Sequence, residues 1–253
     1  MKSLVRVWVW GLSALGFLAG SAVLPAFAQP AGATPASAVP AAKAPADEEA
    51  PAGSASDLPD LSSDVIAARV QSFYDGAKTF QAQFNQRYTI FAYNKKKESQ
   101  GRVAFVKPGK MSWRYTSNGN RVVSDGKLLK VYEAESKQLY EQQMGKSAYP
   151  AALSFLLGEG KLTQSFTLKQ MSAQTVAFKG GYVLLGIPKD PTPAYQKMLL
   201  YVDAATKQVR RALVLDAQGN RNRFDFSNPV INQPVPKTEI EFTPPPGTKI
   251  IRP

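Results

Sequence analysis

Gly101-Arg102-Val103-Ala104-Phe105-Val106-Lys107-Pro108-Gly109-Lys110-Met111-Ser112-Trp113-Arg114-Tyr115 opens the stretch 101–140, whose alternation decides the fold. Val103 and Phe105 share a face with Lys107. After the Pro108-Gly109 turn, Met111, Trp113 and Tyr115 share one face, while Ser112, Arg114 and Thr116 take the other. Val122-Val123-Ser124, Leu129-Lys130-Val131-Tyr132 and Gln138-Leu139-Tyr140 follow at short intervals, separated by the hairpin-type dipeptides Asn118-Gly119 and Asp125-Gly126. Short alternating strands joined by tight turns predict an antiparallel meander. One of its faces is aromatic and aliphatic and carries no catalytic side chain, as suits a surface that holds something apolar.

The same period continues outward. Strands are predicted over 101–107, 111–116, 120–124, 127–133 and 137–142, then over 165–171, 174–178, 181–188, 195–203, 208–216, 221–227 and 238–243, with further turns at Gly180-Gly181 and Gly219-Asn220. Leu129 with Val131, Phe166 with Leu168, Phe224 with Phe226, and Ile240 with Phe242 carry the alternation. Leu200 lies in the run Met198-Leu199-Leu200-Tyr201-Val202, which is apolar on both faces. Upstream, Phe80, Ala82 and Phe84 alternate with Gln81, Gln83 and Asn85, which predicts a half-buried strand from Thr79. Before it, Val65, Ile66, Ala68, Arg69, Val70, Phe73 and Ala77 recur at helical spacing, so an amphipathic helix is predicted over 64–77, capped by Ser62 or Ser63. The Lys95-Lys96-Lys97 run reads as a solvated loop between two strands, with partner docking as the alternative. Such a chain of strands closes, or nearly closes, into a barrel.

One segment breaks the rhythm. Pro150 suits a first helical position and Gly158 a C-terminal cap, and Leu153, Phe155, Leu156 and Leu157 make the short helix between them apolar on most sides. It either plugs the barrel or covers a mouth that it can leave. Lys107, at a strand end, places an ammonium at the rim of the apolar face. It either snorkels to solvent or donates to carbonyls at a helix end.

The chain has 253 residues. Lys2 and Arg6 precede an apolar run over 7–24, and Ala26-Phe27-Ala28 has the small-x-small pattern of a cleavage site, so 1–28 reads as a secretory signal, an uncleaved anchor being the alternative. Residues 29–60 hold eleven Ala and six Pro and read as a disordered tether, leaving 61–253 as the folded domain. With no Cys there is no disulfide framework and no site for N-terminal lipidation. With no His, Ser-His-Asp chemistry and the usual zinc sites are excluded. The folded region has 28 Lys and Arg against 14 Asp and Glu, many of the acids at turns. No enzyme is indicated and no cofactor is implied. The basic balance favours anionic headgroups or an acidic docking face over nucleic acid, which is not an expected partner of an exported protein.

Several pieces, in order, resemble the LolA family of periplasmic lipoprotein carriers. They are Ser72-Phe73 through Phe80-Gln81-Ala82-Gln83-Phe84-Asn85-Gln86, Gly101 through Pro108 with Trp113, Val123-Ser124-Asp125-Gly126-Lys127, Tyr132 and Gln138, Pro150 to Gly158, and Phe242-Thr243-Pro244-Pro245-Pro246-Gly247. The resemblance implies a mainly β (α+β) fold, a single unclosed antiparallel β-barrel with a helical lid over a hydrophobic cavity. It implies a monomeric periplasmic shuttle that takes acylated lipoproteins from a LolCDE-type inner-membrane ABC transporter to a LolB-type outer-membrane acceptor. The cavity wall expected from this is Phe84, Val103, Phe105, Met111, Trp113, Tyr115, Leu129, Leu200, Phe224 and Phe226. The expected lid is Pro150, Leu153, Phe155, Leu156 and Leu157, with Lys107 as its latch. Lys107 stands where the family often has Arg, and Met111 where some members have Phe. Lys cannot form the bidentate fork of a guanidinium, and Met is more pliable than Phe. The alternatives are a regulator of the RseB/MucB type, expected to carry a second C-terminal domain, and a carrier of another lipid.

Overall fold

A computed structural model describes residues 58–144, 160–172, 178–192 and 194–252. The signal and tether readings fall largely outside these residues, as do the predicted strand 174–178 for the most part and the 150–157 helix.

The described chain is mostly β. Twelve strands form one sheet: β1 Thr79–Ile90, β2 Lys95–Val106, β3 Lys110–Tyr115, β4 Arg121–Asp125, β5 Leu128–Glu133, β6 Gln138–Gln143, β7 Phe166–Met171, β8 Gly181–Pro188, β9 Lys197–Asp203, β10 Val209–Leu215, β11 Arg221–Ile231 and β12 Lys249–Ile251. Their spatial order is β12-β6-β5-β4-β3-β2-β1-β11-β10-β9-β8-β7. Two meanders, β1 to β6 and β7 to β11, are therefore joined by the antiparallel pair β1–β11. The sheet curls without closing, since its edge strands β12 and β7 do not pair. Among the described residues three α-helices accompany it: α1 Ser63–Gly76, α2 Leu162–Ser165 and α3 Lys237–Ile240.

Helix α1 starts where Ser62 Oγ accepts the Val65 N–H at 3.4 Å, an N-cap, with Asp64 in the first turn favouring the helix dipole. Its buried stripe is Ile66, Ala67, Val70 and Tyr74, an i, i+4, i+8 line. This corrects the predicted face in part: Val65 is exposed and Phe73 only half-buried, whereas Tyr74, which that face did not include, is inside. The helix packs on β7, β8 and α2.

Two sequence expectations are overturned. Lys95-Lys96-Lys97 is not a loop but the start of β2, which pairs with β1 from Ile90↔Lys95 onward. The apolar alternation at 238–243 is not a strand: it comprises α3 and an extended segment whose Phe242 packs on Tyr132, ring centroids 5.4 Å apart. The chain then adds an edge strand that the sequence does not announce, β12, parallel to β6.

Gly101 shows how tightly the curl is set. A Cβ there would lie 2.0 Å from the Arg114 carbonyl oxygen and 3.0 Å from the Phe84 ring. Only glycine lets the Arg114 backbone and the Phe84 ring approach β2 this closely.

Candidate functional site

The strand register puts the predicted wall on one face. Leu129, Ser124, Met111, Phe105 and Phe80 oppose one another across β5, β4, β3, β2 and β1. Val131, Val122, Trp113, Val103 and Ala82 form the next row. Tyr115, Gly101, Phe84 and Phe226 form a third. On the other meander, Leu184, Leu200, Ala212 and Phe224 continue the inner face.

Of the ten sequence-predicted wall residues, Tyr115 is half-buried and the other nine are buried. Their aromatic members form one cluster. Trp113 lies 5.1 Å from Phe84 and 5.1 Å from Phe224, centroid to centroid, and 5.9 Å from Phe105. Phe84 also meets Tyr115 edge to face at 5.1 Å. Such pairs add about 0.5–1.5 kcal/mol each to simple burial. The wall is thus packed as a core, with the stripe of α1 in the same buried cluster.

Polar groups on this face are few. Ser124 is satisfied by accepting the Gly126 N–H at 3.0 Å. The phenols of Tyr74 and Tyr115 are pushed up by burial; at Tyr74 the Val209 N–H, donating to Oη at 3.1 Å, opposes that shift. Towards the far end of β1 the inner face turns polar, where Gln86 Nε2 donates to Asn222 Oδ1 at 2.8 Å. Among the described residues, Trp113 Nε1 and Arg121 Nε are the buried side-chain polar atoms without a hydrogen-bond partner.

Lys107 stands at the rim, at a cis Lys107–Pro108 bond. Its Nζ donates to the Tyr74 carbonyl and, at 3.3 Å, to the Asp75 carbonyl. These are C-terminal carbonyls of α1, and that of Tyr74 also accepts the Ala77 N–H at 3.2 Å. Burial lowers the ammonium pKa, and the nearby Asp75 carboxylate opposes that shift. Of the two alternatives left open for this lysine, snorkelling to solvent or donating to a helix end, the contacts are those of the second. The helix it reaches is α1; the expected lid residues Pro150, Leu153, Phe155, Leu156 and Leu157 lie outside the described residues.

Sequence reasoning missed two things here. Tyr74 joins α1 to the wall, its ring 5.9 Å from Phe80; the spacing Ile66, Val70, Tyr74 is the signal for it. On the convex side, Arg121 lies over the Phe242 ring at 5.4 Å and donates to the Glu239 carbonyl at 2.9 Å, while Arg114 pairs with Glu239 at 3.1 Å. These contacts hold the C-terminal segment across β3 and β4. Among the described residues no cluster of acidic side chains could hold a metal ion, and no helix is long and apolar enough to cross a membrane.

The family described as outer membrane lipoprotein carrier protein LolA matches residues 75–243. The outer-membrane lipoprotein carrier protein of Chromobacterium violaceum is 27% identical over 187 residues, covering 73% of this chain and 86% of that protein. The protein of the same name from Methylibium petroleiphilum is 28% identical over 186 residues, covering 72% and 87%. Among solved structures, a LolA superfamily protein from Nitrosomonas europaea aligns over 72% of this chain and 99% of its own, at 13% identity and a TM-score of 0.41. The Pseudomonas aeruginosa MucA/MucB complex aligns over 72% of this chain and 61% of that one, at 15% identity and a TM-score of 0.39. The chain belongs to the LolA family of outer-membrane lipoprotein carrier proteins.

Proposed function

We propose that this protein is a periplasmic carrier that shields the acyl chains of lipoproteins between the inner and the outer membrane. The observation that carries the reading is the continuous inner face of β1 to β5 and β8 to β11, apolar and aromatic, with α1 in its core cluster. Export by the N-terminal signal, loading from a LolCDE-type transporter and delivery to a LolB-type acceptor complete the proposal, resting on family membership and on the relatives' names.

The energetics suit a shuttle. Each methylene removed from water is worth about 0.8 kcal/mol, so a full acyl chain gains on the order of 10 kcal/mol. An uncovered apolar cleft would hold such a chain too firmly to release it. A closed state whose own packing must be broken on loading subtracts from that gain. Phe84, Val103, Phe105, Met111, Trp113, Tyr115, Leu129, Leu200, Phe224 and Phe226 are the proposed wall. Lys107 is the latch, acting on α1, and the 150–157 segment is a second cover. No reaction is assigned to the chain; the energy for directional transfer comes from the transporter.

The test is recovery of the protein from the periplasm with its cargo. Acylated lipoproteins should co-purify with it, and cargo stripped of its acyl chains should not. Equal binding of delipidated cargo contradicts the proposal.

A further inference from the structure

The β1–β2 hairpin runs past the apolar wall and ends in a 3-10 turn, Phe91–Tyr93, followed by Asn94 in a left-handed conformation at φ 45. Phe91 is 64% and Tyr93 81% exposed; among the described residues they are the only exposed large aromatics. Single apolar residues on a surface need no explanation, but two on one three-residue turn form a small apolar apex.

That apex is held in place. The Phe91 N–H donates to Asn220 Oδ1 at 3.0 Å. Asn220 is itself fixed by Asp216, whose carboxylate accepts the Asn220 N–H at 2.9 Å and its Nδ2 at 2.8 Å. The Phe91 ring lies 3.4 Å from where a side chain on Gly219 would begin, so the β10–β11 turn supports it closely.

Behind the apex the convex face is basic. Lys96, Thr89, Arg221, Leu215 and Lys197 oppose one another across β2, β1, β11, β10 and β9. At a strand spacing of about 4.8 Å that row is roughly 19 Å wide. The carboxylates on this face are engaged: Glu98 pairs with Arg87 at 2.9 Å, and Asp225 is shared by Arg211 at 2.5 Å and Arg223 at 2.6 Å. Lys96, Arg221 and Lys197 are exposed and have no ion-pair partner among the described residues, and Lys95 adds an exposed ammonium at the hairpin tip.

We propose that this end of the sheet docks on an anionic phospholipid surface, with Phe91 and Tyr93 entering the interfacial zone and Lys95, Lys96, Arg221 and Lys197 at headgroup level. A rigid aromatic apex backed by a basic row matches the interface chemistry of a bilayer, where aromatic rings sit at the boundary and basic groups meet anionic lipid. An acidic protein face would use the basic row but leave the apex without a role. The inference goes beyond the carrier reading and does not depend on it, since these residues lie outside the proposed wall.

The test is co-flotation of the protein, in the form the cell processes, with vesicles of phosphatidylcholine alone or mixed with phosphatidylglycerol, at low and high salt. Binding is expected on the anionic vesicles only, weakening as salt rises. A Lys96→Gln, Arg221→Gln pair should bind roughly 30-fold more weakly, about fivefold for each basic group lost. A Phe91→Ser, Tyr93→Ser pair should bind more weakly while keeping its salt dependence. A Lys127→Gln, Lys137→Gln pair, distant basic residues, should bind like the parent, and all three should keep the parent's cargo binding in solution. Equal binding to neutral vesicles, no binding to anionic ones, or binding unchanged in both tip variants overturns the proposal.

Discussion

Replacing Lys107 with Leu should loosen α1 and tighten cargo binding together. Leucine keeps an apolar stem at the rim but removes the ammonium that donates to the Tyr74 and Asp75 carbonyls. Hydrogen bonds from a charged donor are worth about 1.5–3 kcal/mol, and a cation at a helix C-terminus adds about 0.3–1 kcal/mol. Lys107 remains partly solvated, and burial of its charge opposes the gain, so the net loss is discounted to about 1–2 kcal/mol. For a domain of this size that lowers Tm by about 2–8 °C. If α1 must move for cargo to enter, the same energy is returned on loading, and affinity for an acylated lipopeptide rises about 5- to 30-fold. Thermal unfolding gives the first number. A titration read by Trp113 emission gives the second, since Trp113 is the one tryptophan outside residues 1–28. A variant that loses stability but binds with parental affinity would refute the latch: Lys107 would then be a helix cap and nothing more.

Three further outcomes are expected. Gly101→Ala should cost about 3 kcal/mol or more, because its Cβ would meet the Arg114 carbonyl at 2.0 Å, whereas Gly76→Ala, with nothing within 4 Å, should be neutral or slightly stabilising in urea unfolding. Phe242→Ala should free the C-terminal segment from Tyr132 and Arg121, costing about 1–2 kcal/mol and exposing residues 232–252 to limited proteolysis; an unchanged digestion pattern would show that β12 alone holds it. Asp125 accepts the Leu128 and Lys127 N–H groups, each at 2.8 Å, and these bonds hold its carboxyl below the usual range. Its contribution is therefore full above the ordinary carboxylate value of about 3.9 and disappears as pH falls through the lower folded value. The stability gap between parent and Asp125→Ala should shrink on acidification; a gap constant with pH would contradict this.

The wall was most legible where a strand alternates apolar and polar side chains. Met111, Trp113 and Tyr115 alternate with Ser112, Arg114 and Thr116, and period two needs no knowledge of the partner strand. What escaped was structure set by distant partners. Lys95 to Gln100 carry no apolar alternation because both faces of the hairpin are wet at that end, and only pairing with β1 makes them a strand. Ile240 and Phe242 mimic a strand because a segment lying over the convex face also needs an apolar anchor, here Phe242 on Tyr132. The β1–β11 pair that joins the two meanders has no local signature, and neither does β12. Lys107 was half legible: its place at a strand end beside an apolar face left snorkelling or donation to a helix terminus open, and packing chose donation, to α1.

The central claim is that the inner face exists to hold acyl chains, and the most direct measurement is the binding of one lipopeptide in acylated and deacylated forms. Titrated into the purified protein and followed by Trp113 emission, the acylated form should bind saturably and change the emission, and the deacylated form should do neither. Trp113→Phe, tested by calorimetry, should retain binding because the wall stays apolar. Equal affinity for the two forms, or no binding of the acylated one, would contradict the account.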